Sequence, residues 1–567
     1  MVKFKYLVKL KLRNSLVISP ALFACFSLMA QDGAGLDNTD YEAGRFIVKI
    51  KKGESSNPFT NKIIRDANLE YLAEELEDIQ MPSRELPNLG IVLAEGDSYE
   101  VGDALTEHPL VEYYELERRW DMSSLDGIDI PSDLSISPWL QDVLGFSTAR
   151  PDPAQPKAGG SAVIVAVIDT GLTVTHPYIT SALAINSAET ANGVDDDSNG
   201  YVDDIYGANV FNRNGSIAEG GTDHGSHVAG IIKTIRDQAI EDYPEAKRIQ
   251  VLPIRFIDNR GYGTTTGAVL AMEYAAMRGA RVVNASWGSL GSSSFSQALY
   301  DSMVELYNRD IIMFAAAGNA VGGRVNNNDV TPYFPASFNI PALLSVGSLT
   351  PVYSANVFQR LEFSTFSNFG AGTVQVAAPG SFQESQYFDY GILSMNANFS
   401  SQFDYFTKKK GTSMATPVVA GIAAVIRGIN PSLTNYEVRN LIMNNSVRHS
   451  AMNKVAARGY VHAMNSFAAA DSATSTGNRP GVSLPLYYAT SDDNGAAQLN
   501  RASASSDGGG GGGGGGGGCG MIEDVSKNGD LKGGPFGGNS VFLVAFGYLF
   551  SFWARRFRVR LRRFRHI

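Results

Sequence analysis

The chain has 567 residues, 44% hydrophobic and 18% charged, enough apolar material for one large core domain with smaller accessories. Twelve of the 47 Lys and Arg crowd the two ends, leaving 35 against 57 acids in the body, and so acidic a body argues against a nucleic-acid partner. Cys25 and Cys519 lie near the ends, so neither an internal disulfide nor cysteine catalysis serves the core.

In chain order, a basic start, an apolar run from Ser15 to Ala30 and polar Gln31-Asp32-Gly33 read as a secretory signal over 1–30. Leu22-Phe23-Ala24-Cys25 has a faint lipoprotein-box character, against which apolar residues continue after the cysteine. From 41 to 120, alternation at Arg45 to Lys51, helical period over Ala67 to Leu76, an extended Ile91 to Ala94 and alternation at Val111 to Leu116 predict a small α+β module. A linker over 121–139 follows, the chain staying loop-like to Gly160, and the main domain is expected over 140–470.

Ala162 to Ile168 is a continuous apolar run, a strand buried on both faces, and Asp169 at its carboxyl end points into the crevice where open α/β sheets bind ligands. An Asx turn explains that aspartate equally well. Asp169-Thr170-Gly171 is also an aspartic-peptidase signature, but that chemistry needs a second such motif and the chain has none. Gly193 to Asp204 then sets Asp195, Asp197, Asn199 and Asp203 around a glycine turn, hard-oxygen chemistry suited to a structural calcium ion or to a solvated acidic loop. The twelfth position from Asp195 is Tyr206, so it is not an EF-hand.

Gly221-Thr222-Asp223-His224-Gly225-Ser226-His227 places a histidine at the start of an apolar helix. Strand Gln250–Arg255, helix Thr265–Met277, strand Arg281–Gly288 and strand Ile311–Asn319, which ends in Gly318-Asn319, follow in the rhythm of a parallel sheet. In Gly411-Thr412-Ser413-Met414-Ala415-Thr416-Pro417 a small-residue turn delivers a hydroxyl to a helix N-terminus, where free N–H groups favour developing negative charge. Pro417 is expected to cost little so early in a helix. Beyond 470 come a linker over 471–538 containing the Gly508–Gly518 run, which serves as a flexible spacer, and a hydrophobic, arginine-ended tail over 539–567.

The strings around Asp169, His224, Asn319 and Ser413, in that order, resemble the subtilisin-like serine peptidases over about 140–470. The resemblance implies an α/β fold with a parallel central sheet and helices on both faces, preceded by a small α+β propeptide. It implies a secreted, self-processing serine endopeptidase: Ser413 the nucleophile, His224 the base, Asp169 its orienter and Asn319 the oxyanion donor. Gly261, Gly263, Ser286, Trp287 and Gly288 would flank an extended protein or peptide substrate, with Ala317 and Gly318 along a first pocket that suggests an apolar side chain and that Trp287 and Tyr333 would narrow. No catalytic cofactor is expected. Module 41–120 would act as an intramolecular inhibitor, the alternative being a permanent binding domain. The tail resembles the Gly-Gly sorting tails of Gram-negative surface proteins, implying membrane contact before processing; a plain tail anchor is the alternative. A monomer is expected. The rival from another class is a surface-anchored binding protein on an inactive peptidase fold.

Overall fold

The computed structural model describes residues 41–50, 72, 83–86, 90–95, 110–122, 142–146, 160–219, 222–354, 357–384, 389–399 and 405–482. It also gives the backbone of a last hairpin, Tyr487–Ser491 with Ala497–Arg501. The stretch expected as a secretory signal, the helix expected over 67–76 apart from Leu72, most of the expected 121–139 linker, the glycine run and the arginine-ended tail lie outside the described residues.

The N-terminal module contributes β1 (Tyr41–Ile50), β2 (Ser83–Leu86), β3 (Ile91–Glu95) and β4 (Val111–Met122). The alternation of β1 has its physical outcome here. Phe46, Val48 and Ile50 close a small core with Leu72, Val92, Ala94 and Val111, whereas Ile47 joins the large core of the chain. β4 runs farther than its alternating start predicts, to Met122.

The main domain begins with β5 (Val163–Asp169), β6 (Ala208–Asn209) and helix α1 (His224–Ile240), then β7 (Ile249–Arg255), β8 (Tyr262–Thr264) and α2 (Thr265–Met277). Next come β9 (Ala280–Ala285), β10 (Trp287–Leu290), α3 (Gln297–Asn308), β11 (Ile312–Ala316), β12 (Tyr333–Phe334), β13 (Leu343–Ser354), β14 (Val357–Phe363) and β15 (Val376–Pro379). Short strands β16 (Phe382–Glu384) and β17 (Asp389–Tyr390) precede the hairpin β18 (Ile392–Met395) and β19 (Phe406–Lys409). The domain closes with α4 (Thr412–Ile429), α5 (Asn435–Asn444), β20 (Val447–Arg448), β21 (Gly459–Tyr460) and α6 (Ala463–Ser472).

The central sheet has the order β20-β21-β15-β13-β11-β9-β5-β7-β6, parallel from β21 to β6. Helix α4 packs against α1 and across the central strands, and α2 packs against α3. Every residue of α4 is buried. Among the described residues it is the one helix long and apolar enough to cross a membrane, and its full burial makes it the spine of the core. The arrangement is the expected subtilisin-like α/β fold with a mostly parallel central sheet.

Two features of this topology position the site. β5, β9 and β11 are neighbours, so their carboxyl ends bring Asp169, Ser286 and Asn319 to one edge. The chain also breaks at Ser286: β9 belongs to the central sheet, whereas β10 turns into a second, antiparallel sheet with β12 and β4.

Candidate active site

Asp169, at the end of a strand buried on both faces, is fully buried. Its Oδ1 accepts from the Thr170 N–H at 2.8 Å and from His224 Nδ1 at 2.7 Å. A carboxylate can only accept, so the imidazole carries its proton on Nδ1 and leaves Nε2 as the basic atom. Nε2 is buried and has no hydrogen-bond partner among the described residues. Burial pushes the His224 pKa down, but the charge and hydrogen bond of Asp169 outweigh it and hold the group above the ordinary histidine value. His227, one turn on, behaves oppositely. Its Nε2 lies 2.9 Å from Ile392 O and 3.2 Å from Thr407 O, and burial with neighbouring Lys409 and His224 drives its pKa well down, as suits a neutral packing residue.

Ser413 occupies the second position of α4. Pro417 has no N–H to give the Ser413 carbonyl four residues back, so the proline falls deeper in the helix than the sequence reading allowed. The freed carbonyl instead accepts from Ser286 Oγ at 2.9 Å, and the Ser413 hydroxyl donates to Ser286 O at 2.8 Å. This reciprocal pair ties the Ser413 segment to the break between β9 and β10. Because the hydroxyl is given to Ser286, the serine–histidine hydrogen bond is not made in this structure.

Asn319 follows β11 at the same edge. Its Oδ1 accepts from the Thr412 N–H at 3.0 Å and from Thr412 Oγ1 at 3.2 Å. That fixes the amide plane, with Oδ1 against the residue preceding the serine and the N–H₂ on the opposite branch. Gly318 donates its N–H to Thr412 Oγ1 at 3.2 Å, locking β11 to α4 beside the serine.

The two edges expected to flank a bound strand hold one here, and it is β4. Its pairing runs antiparallel on both sides: Trp120 beside Gly263, Asp121 beside Tyr262 and Gly288, and Met122 beside Trp287. Gly261 sits just outside this ladder, in a turn where its N–H donates to Asp258 O at 3.1 Å. Trp287 turns its ring inward, Nε1 donating to Ile168 O at 2.9 Å, and presents only backbone to the cleft. Ala317 O is taken by Asn328 and Asn368 side chains at 2.9 and 3.2 Å. The Tyr333 ring fills the space between the walls: a Cβ added to Gly288 would meet it at 2.3 Å, and one added to Gly318 at 2.8 Å.

The acidic loop places oxygens of Asp195 and Asp197 within 4.8 Å of one another and of Glu189, a residue its sequence motif does not include. Asn199 turns its Nδ2 to Asp204 Oδ2 at 3.1 Å, and Asp203 accepts from the N–H groups of Asn192 and Gly193 at 3.0 Å. The carboxylates of Glu189, Asp195 and Asp197 are hard-oxygen ligands of the kind calcium takes, and in this structure their oxygens accept from the N–H groups of Asp197, Asn199 and Gly200. Sequence reading also missed Glu219, which bonds the start of α1. No motif marks it, since it lies five residues before His224 in an irregular loop.

The family model described as Subtilase family matches residues 160–483. Over 335 residues the chain is 30% identical to subtilisin-like protease 1 of Plasmodium berghei (strain Anka), covering 57% of this chain and 52% of that protein. Over 307 residues it is 29% identical to thermitase of Thermoactinomyces vulgaris, covering 54% and 88%. The chain thus spans about half the length of the Plasmodium relatives. The structure of fervidolysin from Fervidobacterium pennivorans superposes with a TM-score of 0.53 at 20% identity, over 76% of this chain and 62% of that one. An epidermin leader peptide processing serine protease from Staphylococcus aureus gives 0.52 at 18%, over 76% and 100%. Both structures share the fold, and the family model spans more than half of the sequence: the chain belongs to the subtilase family.

Proposed function

We propose that this chain is an exported, self-processing serine endopeptidase. The observation that carries the reading is the buried 2.7 Å pair of Asp169 and His224 beside Ser413, in a cleft whose two edges already hold an extended strand. In the reaction, Ser413 rotates off Ser286 O and its Oγ attacks the scissile carbonyl as His224 Nε2 takes its proton. The imidazolium is stabilised by Asp169, and the oxyanion is bound by the Asn319 side-chain N–H₂ and the Ser413 N–H. Collapse of the intermediate expels the amine, which receives the proton from Nε2, and water repeats the sequence on the acyl-enzyme. Because the reaction needs neutral His224 and its pKa is raised, kcat/KM falls as pH drops through that raised value.

The N-terminal module acts as the first substrate and then as inhibitor. β4 runs into the cleft, and its last described residue, Met122, sits beside Trp287, one residue from the Ser286 carbonyl that holds Ser413. The self-processing cut therefore falls just past Met122, where the sequence reads Ser123-Ser124. Small residues there suit a first pocket that the Tyr333 ring has largely filled. Glu189, Asp195 and Asp197, with oxygens within 4.8 Å of one another, would hold a structural calcium ion that plays no part in the chemistry. Export across the inner membrane, a place on the surface of a Gram-negative cell or outside it, a tail that meets the membrane before processing and a monomeric state rest on the sequence patterns at the two ends and on the resemblance.

The deciding experiment is the intact mass of the full chain beside its Ser413→Ala variant. The wild type is expected to lose everything up to about Ser123 while the variant retains it; equal masses would overturn self-processing.

A further inference from the structure

The helix that carries His224 begins on an aspartate that does not cap it. Asp223 makes no side-chain hydrogen bond to the helix; its carboxylate is instead 2.8 Å from Lys409 Nζ on β19. The exposed N–H groups of the first turn, the positive end of the helix, are taken by Glu219. Its Oε1 accepts from the Gly225 N–H at 2.9 Å and its Oε2 from the Ser226 N–H at 3.2 Å. The same Oε1 accepts a short hydrogen bond from the Thr170 hydroxyl, and Thr170 Oγ1 in turn accepts from the Gly225 N–H at 2.8 Å. The Thr170 N–H is the group that holds Asp169 Oδ1 at 2.8 Å. One carboxylate thus joins the residue after Asp169 to the two residues after His224.

We propose that Glu219 is a positioning residue of the peptidase reaction: it clamps the Asp169–Thr170 turn to the first turn of α1 and so fixes how His224 meets Ser413. This rests on the reading above and extends it to a residue outside the triad. Glu219 touches neither the nucleophile nor the oxyanion site, so its effect passes through the placement and charge of the imidazole. The charged groups around it are Asp169 on β5, Asp223 and His224 at the start of α1, Lys409 on β19, and Arg255 on β7, whose Nη1 bonds the neighbouring Ala218 carbonyl. Desolvation pushes the Glu219 carboxyl up to about 7, outweighing hydrogen bonds from Ser226 and Thr170 that act the other way. When ionised it favours the charged imidazole, so removing it lowers the pKa of His224.

The test uses the full chain with Glu219→Gln, which keeps one acceptor oxygen but loses the charge and the second acceptor. In the Ser413→Ala background, where nothing is turned over, the His224 ring is titrated by NMR with labelled histidine and assigned by its loss in His224→Asn. The expected result is a His224 titration at lower pH in a chain that stays folded, its thermal midpoint lowered only by the weakened cap. In the active chain, kcat falls about 10-fold with KM unchanged, as befits a base whose positioned proton transfer is worth roughly 10²–10⁴-fold. The acid limb of kcat/KM moves to lower pH in parallel. Should the glutamine variant fold poorly, Glu219→Asp, which keeps the charge but shortens the reach, is expected to lower kcat while His224 titrates near its wild-type pH. A His224 titration and an acid limb that stay in place in Glu219→Gln, or a rate loss that only tracks loss of folded protein, would overturn the proposal. An inactive wild type with a normal His224 shift would instead overturn the peptidase reading and leave the clamp standing.

Discussion

β4 and β5 both lead toward Ser413, but they are held by different forces. β5 is a continuous apolar run, parallel to β7 on one side and β9 on the other, with its side chains sunk in the large core. Burial on that scale, about 25 cal/mol per Å² of apolar surface, makes a permanent strand. β4 is antiparallel to every neighbour and meets the main domain through backbone pairing and alternating polar side chains. Tyr113 donates to Asp301 Oδ2 at 3.0 Å, Glu115 accepts from the Gln297 N–H at 2.9 Å, and Glu117 accepts from the Thr266 N–H at 3.2 Å. Two carboxylates on one face of a strand thereby cap the positive ends of α3 and α2. Polar seams of this kind are made and released with little reorganisation of either side, whereas a core strand cannot leave without unfolding the sheet.

The sharpest break between the two strands is Ser413→Ala. Loss of a triad nucleophile lowers kcat by roughly 10⁶-fold, so the linkage beyond β4 should stay intact by mass and peptide hydrolysis should vanish. Activity undiminished in that variant would end the serine mechanism. Next in size is Asn319→Ala, expected to lower kcat by roughly 10²–10³-fold with KM little changed, since one oxyanion donor is worth that much; steady-state kinetics on a peptide substrate decides it. Tyr333→Ala should open the space between Gly288 and Gly318. The preference for a small over a large apolar residue before the cut bond should shrink by roughly 10–200-fold, the usual worth of a pocket contact, as read from the ratio of kcat/KM values. A ratio that does not move would mean the ring is not the floor of the pocket.

The smallest effect concerns the seam itself. Glu115→Ala removes one helix cap, worth about 1 kcal/mol. In the unprocessed Ser413→Ala chain it should speed hydrogen exchange at the α3 N-terminus roughly fivefold, a factor that corresponds to that energy. Exchange confined to its original rate would show that β4 is held by its backbone pairing alone.

Much of this molecule was legible as sequence because its signals are local. The seven-residue apolar run Ala162–Ile168 that reads as a doubly buried strand, the aspartate after it, and a serine placed by small residues at a helix start each follow from period and turn chemistry. Their order along the chain then pointed to the family. What the sequence could not decide depends on distant segments meeting in space. Pro417 leaves a carbonyl without a donor, but that Ser286 answers it across 127 residues follows from the packing of α4 on the β9–β10 break. Glu219 carries no motif, because a clamp is defined by the two elements it joins. The reach of β4 to Met122 is set by partners in β8 and β10 that its own alternation does not encode. Residue type and periodicity determined which groups are present and on which element each sits. Only the tertiary structure, by bringing strand ends, helix starts and loops within hydrogen-bond distance, decided which of them act on one another.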